Sequence, residues 1–160
     1  MANYTLEELQ AKVALGRDAI FRVALLKADG TRDTSANHKE LSLASEVTVG
    51  FENRTISFSN FASGGGEVEV PVGENGTLDL SEMQFIADDD ALVIMETAAR
   101  EKKVVTYEFL PFGAGVGKLI YKGSLRVNSW KVKASSAGTV TIDNPTIASA
   151  GLPDKGTQAA

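Results

Sequence analysis

Residues 118–151, KLIYKGSLRVNSWKVKASSAGTVTIDNPTIASAG, restrict the fold more than any other stretch of the chain. Leu119, Tyr121, Leu125 and Val127 are apolar on alternate positions, and the pattern resumes at Trp130 and Val132 with its parity shifted by one. Side chains of a strand alternate between faces, so one inserted residue moves all later ones to the other side. The segment therefore reads as one long strand bulged near Asn128 and Ser129. SSAG makes a turn, Thr139 to Ile142 alternates again as a hairpin partner, and the DNP of Asp143 to Pro145 ends it.

Bulk properties narrow the classes. At 160 residues the chain is about one domain long, and a chain of this size buries roughly two thirds of its unfolded surface without staples. It has no cysteine, which excludes a disulfide framework, a thiolate zinc site and a cysteine nucleophile. The opening MANYTLEELQAK is polar, so a secretory signal is not expected, and no apolar run is long enough to span a bilayer. We expect a soluble protein without membrane contact. A net charge of −5 argues against a surface that grips nucleic acid, because phosphate binding needs clustered Lys and Arg.

From the start of the chain, Thr5 and Glu8 are spaced as a capping box and Tyr4 and Leu9 as a hydrophobic staple. They predict a short helix with Leu6, Leu9 and Val13 as its stripe and Gly16 as its stop. So short a helix must pack on its own domain or on a neighbouring subunit. AIFRVALLK, from Ala19, is apolar on both faces and suits a covered strand. ADGTRDTSANHK, from Ala28, predicts a mobile polar loop holding the only histidine, His38, with no second ligand to make it a metal or catalytic site.

Residues 41–51 alternate cleanly, with Leu41, Leu43, Val47, Val49 and Phe51 inward and Ser42, Glu46, Thr48 and Glu52 outward. Glu52, Asn53 and Arg54 read as a tight connection into a second strand over residues 55–61. After SGGGE, Val68, Val70 and Val72 alternate with Glu67 and Glu69 until Pro71 ends the strand or places it at an edge, and GENG predicts a turn. Glu67 and Glu69 share only a wet strand face and read as solvated. Asp88, Asp89 and Asp90 open the main helix, which runs to about Lys102. Acids in its first turn and Arg100, Lys102 and Lys103 in its last complement the macrodipole. Leu92, Met95 and Ala99 form its buried face, widened by Ile94 and Ala98. A strand follows over residues 104–110. PFGAGVGK is one residue short of a P-loop, has Leu119 where Ser or Thr would hold magnesium, and precedes a strand, so it reads as a hairpin loop.

The expected fold is mainly β: an antiparallel β-sandwich or open barrel flanked by one main α-helix, with a short N-terminal helix. Residues 1–16 form an N-terminal arm, 17–153 the sandwich, and 154–160 a flexible tail. No cofactor, metal or catalytic residue is expected. There is no His, Ser and acid constellation to support a hydrolase.

In order and shape the chain resembles the phage tail tube (major tail) proteins. DDDALVIMETAAREKKVVTYEFLP supplies their helix and strand, and YKGSLRVNSWKVKASSAGTVTIDNPTIASAG their closing hairpin. The likeness spans residues 16–153, and the capped N-terminal helix maps onto no part of it. The resemblance implies a subunit of hexameric rings that stack into a hollow tube in the virion tail, around a tape-measure protein and then around DNA in transit. A tail terminator or completion ring protein is the neighbouring alternative, and a monomeric β-sandwich binding module the alternative of another class. A conduit should not brake phosphate, which suggests the acidic Glu46, Glu52, Glu67 and Glu69 as its lining. Lys118, Lys122 and Arg126 form a basic row expected to meet acids of a neighbouring subunit, with Leu6 and Leu9 as further contacts.

Overall fold

The computed structural model describes residues 5–7, 18–41, 46–59, 64, 66–81, 83–143 and 145–160. The capping box and staple of the N-terminal helix rest on Tyr4, Glu8 and Leu9, which lie outside the described residues.

Strand content is 47%, and every strand pair is antiparallel. The main sheet joins β1 (Ile20–Leu25), β2 (Lys39–Glu40), β6 (Val104–Leu110), β7 (Leu119–Val127), β10 (Ile147–Ser149) and β11 (Asp154–Thr157). Its order is β10-β7-β6-β1-β2, with β11 also on β7. A long ribbon pairs β3 (Val47–Ser59) with β4 (Glu67–Leu80), and a small sheet joins β5 (Met83–Gln84), β9 (Thr141–Ile142) and β8 (Val132–Lys133). The helix α1 spans Asp90–Glu101. Among the described residues the sandwich stays open, with no closed barrel.

The register gives the main sheet two unlike faces. Phe21, Val23, Val105, Tyr107, Leu125 and Val127 lie on one, and all six are buried. α1 covers it with Ala91, Leu92, Met95 and Ala98, while Leu78 and Leu80 of the ribbon base and Met83 and Ile142 of the small sheet close the same core. The helix begins as its aspartates predict: the Asp89 side chain accepts a hydrogen bond from the Leu92 amide at 3.0 Å. It ends at Lys102, which is left-handed at φ 55°.

Several expectations are corrected. The strand from Lys118 is not one long bulged strand: β7 stops at Val127, and β8 belongs to another sheet. The hairpin around SSAG does form, pairing Val132 with Ile142 and Lys133 with Thr141. Trp130 packs on the core, but Val132 is 51% exposed and anchors nothing there. The expected turns at Glu52 to Arg54 and at GENG are absent, since β3 and β4 run through both. Of the expected strand over 41–51, Ser42 and Leu43 lie outside the described residues, β3 carries Val47 to Phe51, and Phe51 is 59% exposed rather than inward. Arg54 pairs with Gly73 and Thr55 with Pro71, so Val72 is an extra residue on β4. Pro71, which cannot donate, sits beside that bulge. The expected loose tail is instead ordered as β11, in register with Lys122 to Leu119.

Gln158 shows why this end is ordered. Its side-chain amide donates to the Gly113 carbonyl and accepts from the Gly115 amide, both at 2.9 Å, and so clamps the β6–β7 loop.

At Gly123 the sheet touches the ring of Tyr107, and an added Cβ would lie 2.5 Å from its hydroxyl oxygen. That hydroxyl is buried with no hydrogen-bond partner, and burial raises its pKa above the ordinary phenol value. Gly123→Ala should therefore cost about 1–3 kcal/mol by overpacking, and Tyr107→Phe, which removes an unsatisfied oxygen, should be close to neutral. In the double variant part of the Gly123→Ala loss should return. Urea unfolding of the three variants measures this, and purely additive effects would contradict the contact.

Candidate assembly surfaces

The second face of the main sheet carries Arg22, Ala24, Thr106, Glu108, Lys122 and Ser124. Glu108 is 1% exposed at its centre, with Arg22 and Lys122 as its cross-strand neighbours. The cover is the loop of residues 28–38, which was expected to be mobile. Arg32 donates from Nη1 to the Gly123 carbonyl at 2.9 Å and from Nη2 to the Tyr107 carbonyl. Ser35 Oγ donates to Glu108 Oε1 at 2.7 Å. His38 is buried, with Nδ1 donating to the Thr34 carbonyl and Nε2 at 3.0 Å from Thr106 Oγ1. The loop is a strap pinned by its polar side chains. Alternation of Arg22 in β1 and of Thr106 and Glu108 in β6 was the signal that one face is polar.

The strap is shaped locally by two exposed carboxylates. Asp29 is held below its ordinary pKa by the Thr31 side chain, and Asp33 by the Asn37 side chain. A depressed folded pKa means a contribution that is complete above the unfolded value of 3.8 and is lost as pH falls through the folded value. Burial lowers the Arg32 pKa, opposed by the charge of Glu108, and a guanidinium stays ionised throughout.

The surfaces expected to serve assembly are placed as follows. Lys118 donates to the Phe112 carbonyl at 3.1 Å. Lys122 is half-buried, with Glu108 and Asp154 beside it in register, so its own chain already supplies acids there. Arg126 is exposed and reaches the Lys102 carbonyl at 3.4 Å. Leu6 is 72% exposed, and Leu9 lies outside the described residues. Glu46, Glu52, Glu67 and Glu69 are all exposed. They do not share one ribbon face. Val47 and Val49 pair with Leu80 and Leu78, and past the bulge the same alternation carries Ser57 and Ser59, paired with Glu69 and Glu67. Glu52 lies on the opposite alternation, with Ile56, Val68 and Val70.

Sequence reading missed this ribbon as a unit. Its base buries one face in the core, and beyond the bulge the apolar residues occupy the other face. Ile56, Val68 and Val70 are 54%, 38% and 36% exposed there. Fourteen residues of β4 span roughly 45 Å at about 3.3 Å each, against roughly 30 Å for nine-residue β7, so the ribbon overhangs the body. Among the described residues no three His, Cys, Asp or Glu side chains form a metal-binding group.

No family model and no curated protein matches the chain. Solved structures do. A chain from the virion of a native gene transfer agent particle aligns with a TM-score of 0.65 at 13% identity, over 91% of this chain and 100% of that one. A chain from the tail of an empty particle of this kind, refined helically with C6 symmetry, gives 0.64 at 16% identity, over 92% and 100%. The SPP1 tail tube gives 0.70 at 11% identity, over 92% of this chain and 81% of that one. At these identities the likeness is one of fold: this chain has the fold of tail-tube subunits.

Arg32→Ala removes both strap bonds and one cation facing Glu108. We expect a stability loss of about 2 kcal/mol, within the range for losing hydrogen bonds to a charged group, and faster amide exchange across residues 28–38. Arg32→Lys should recover less than half, because an ammonium cannot fork to two carbonyls. Exchange unchanged in Arg32→Ala would show that the strap is held elsewhere.

Proposed function

We propose that the chain is a structural, non-enzymatic protein of a phage-type virion tail, the subunit of hexameric rings that stack into a hollow tube. The reading is supported by the shared fold and carried by one observation, the β3–β4 ribbon. The ribbon is long, has an open strand edge along its far half and presents Ile56, Val68 and Val70 to solvent on the face turned over by the bulge. A two-stranded ribbon is marginal alone, and unpaired edges invite other chains. Pairing between subunits of a ring would finish both, since a head-to-tail contact whose rotation closes leaves no edge.

On this reading the acidic ribbon lines the conduit. Glu46 and Glu52 face away from the core at its base, while Glu67 and Glu69 stand on the other face of the ribbon along its far half, so the lining would draw on both faces. With a net charge of −5 the wall repels phosphate weakly, and DNA passes without being held. A tape-measure protein would occupy the lumen before DNA does. Arg126, exposed and held by one long bond, is the member of the basic row best placed to meet a neighbour's acids, with Lys118 and Lys122 behind it. Leu6, and Leu9 with it, would add apolar contact from the N-terminal arm. The protein would be made in the host cytoplasm and reside in the tail, without touching membrane.

Purified protein should form rings and tubes in negative-stain micrographs, with light scattering that rises with concentration. A monomer at every concentration would overturn the reading in favour of a binding module, and single rings that never stack would favour a terminator. Replacing Glu46, Glu52, Glu67 and Glu69 together by Lys should leave assembly intact but make tubes retain DNA at low salt in a filter assay. Unchanged DNA retention would remove these residues from the lining.

A further inference from the structure

The N-terminal arm and the β6–β7 loop meet at one end of the main sheet. β1 opens with Ile20 paired to Leu110, the last residue of β6. Just before it, the Asp18 carbonyl oxygen lies so near the loop that a Cβ on Gly113 would stand 2.9 Å from it. The arm therefore leaves the body beside residues 111–118. That loop is fixed from several sides. Besides the side-chain clamp on Gly113 and Gly115, the Gln158 carbonyl accepts from the Gly117 amide at 2.9 Å and its amide donates to the Lys118 carbonyl at 2.8 Å. Lys118 Nζ then closes the loop on the Phe112 carbonyl.

What this fixed loop presents is apolar. Phe112 is 39% exposed and Val116 73%. A valine held out in water adds nothing to the stability of the monomer, whereas a surface that is already ordered loses little freedom when a partner covers it. The arm carries a matching half. Leu6 and Glu7 are helical, and Leu6 is 72% exposed. Leu9 and Val13 follow Leu6 at three and seven residues, the spacing that puts all three on one helix face. The loop and Leu6 both stay open in the single chain, although the arm starts beside the loop. An arm folded back onto its own loop would have covered Val116.

We propose that the stripe of Leu6, Leu9 and Val13 of one copy packs on Phe112 and Val116 of a second copy, an amphipathic helix laid on a preformed apolar surface. From Leu6 to Asp18 the arm reaches roughly 20 Å, at about 1.5 Å per residue as helix to Leu15 and about 3.3 Å per residue beyond, and Gly16 lets the connection turn. The exit point and the receiving loop lie at the same end of the sheet. The exchange therefore suits copies that stand side by side and point the same way, as in a ring, whereas copies stacked end to end bring unlike ends together. Each copy gives one arm and receives one, so the contact is heterologous and closes when the ring does. The proposal rests on the reading that the chain forms rings, and adds which segments join ring neighbours.

The chain has no cysteine, so introduced thiols report the contact directly. Under conditions in which the parent assembles, a Leu6→Cys protein mixed with a Val116→Cys protein and a short bismaleimide should give a product containing both chains. Its yield should exceed by about tenfold or more that from Leu6→Cys mixed with Val132→Cys, which puts a thiol on the exposed small sheet, because docking raises the local concentration of the matched pair only. A variant with both Leu6→Cys and Val116→Cys should give a ladder of covalent multimers ending at the hexamer. Cross-links confined to single chains would show the arm covering its own loop, a ladder running past the hexamer would place the exchange between rings, and equal yields with Val132→Cys would show no contact. Each of these overturns the proposal and leaves the tube reading standing. Phe112→Ser with Val116→Ser, checked for folding by circular dichroism, should need about tenfold more protein to assemble, and assembly at the parent's concentration would overturn the contact as well. A parent that never assembles overturns both readings.

Discussion

A carboxylate at the middle of a sheet sets the terms for the rest of this fold. Glu108 is 1% exposed on β6, and removing such a group from water costs several kcal/mol unless it is paired. Its neighbours in register are Arg22 and Lys122, and the strap brings Arg32 and the Ser35 hydroxyl over it. The strap therefore supplies the hydrogen bond that Glu108 accepts, from Ser35 to Oε1, while Oε2 has no partner among the described residues. The same strap carries the chain from β1 to β2, so the ionic layer also fixes the path by which the sheet gains its far edge. Opposite it, Tyr107 stacks on Phe21 at 5.4 Å and fills the space that Gly123 leaves. Adjacent residues of one strand thus serve an apolar core on one side and a charged layer on the other.

The ribbon obeys a different constraint. Its base is held by Val47, Val49, Leu78 and Leu80 against the core, and one extra residue at Val72 shifts the later side chains of β4 relative to that base. In an unbulged ladder, with Val72 paired to Thr55, Val68 and Val70 would share the alternation of Leu78 and Leu80. With the bulge they join Ile56 on the opposite face, where the body has nothing to cover them. An apolar surface placed in this way is costly for a monomer and useful only to something that meets another chain.

How far the sequence foretold these features depended on the range of the interactions involved. α1 was legible because Asp89, Arg100 and the face of Leu92, Met95 and Ala99 are signals within a few residues of one another, although it is Ala98 that is fully buried and Ala99 only half-buried. β1, β6 and the SSAG hairpin were legible for the same reason. The ribbon was not, because Glu52 to Arg54 and GENG have the composition of turns, and only pairing with partners 19 to 25 residues away keeps them extended, from Arg54 with Gly73 to Phe51 with Gly76. The strap was misread as mobile because polarity marks both a solvated loop and one tied to a buried charge. β11 was misread because Gln158, which closes on Gly113 and Gly115, acts 45 residues away from its partner. Among the assembly residues, charge and exposure could be read from the sequence for the glutamates, while their division between two ribbon faces depended on a bulge that appears only in the pairing.

The remaining question is why such a chain leaves so much unfinished. Extending β7 or adding a strand to cover the ribbon would complete the monomer, and would also remove the surfaces through which, on the proposed reading, copies would meet. The molecule instead divides its packing: the strap, the helix and the Tyr107 core make one buried body that the ribbon base helps to close, and the rest of the ribbon extends from it. Weak contacts then suffice for assembly, since each subunit in a closed array is held by at least two neighbours at once and leaving requires both to break. Contacts that are individually weak and salt-sensitive also let misplaced copies dissociate before the array closes, whereas a large dry interface on every free monomer would trap errors.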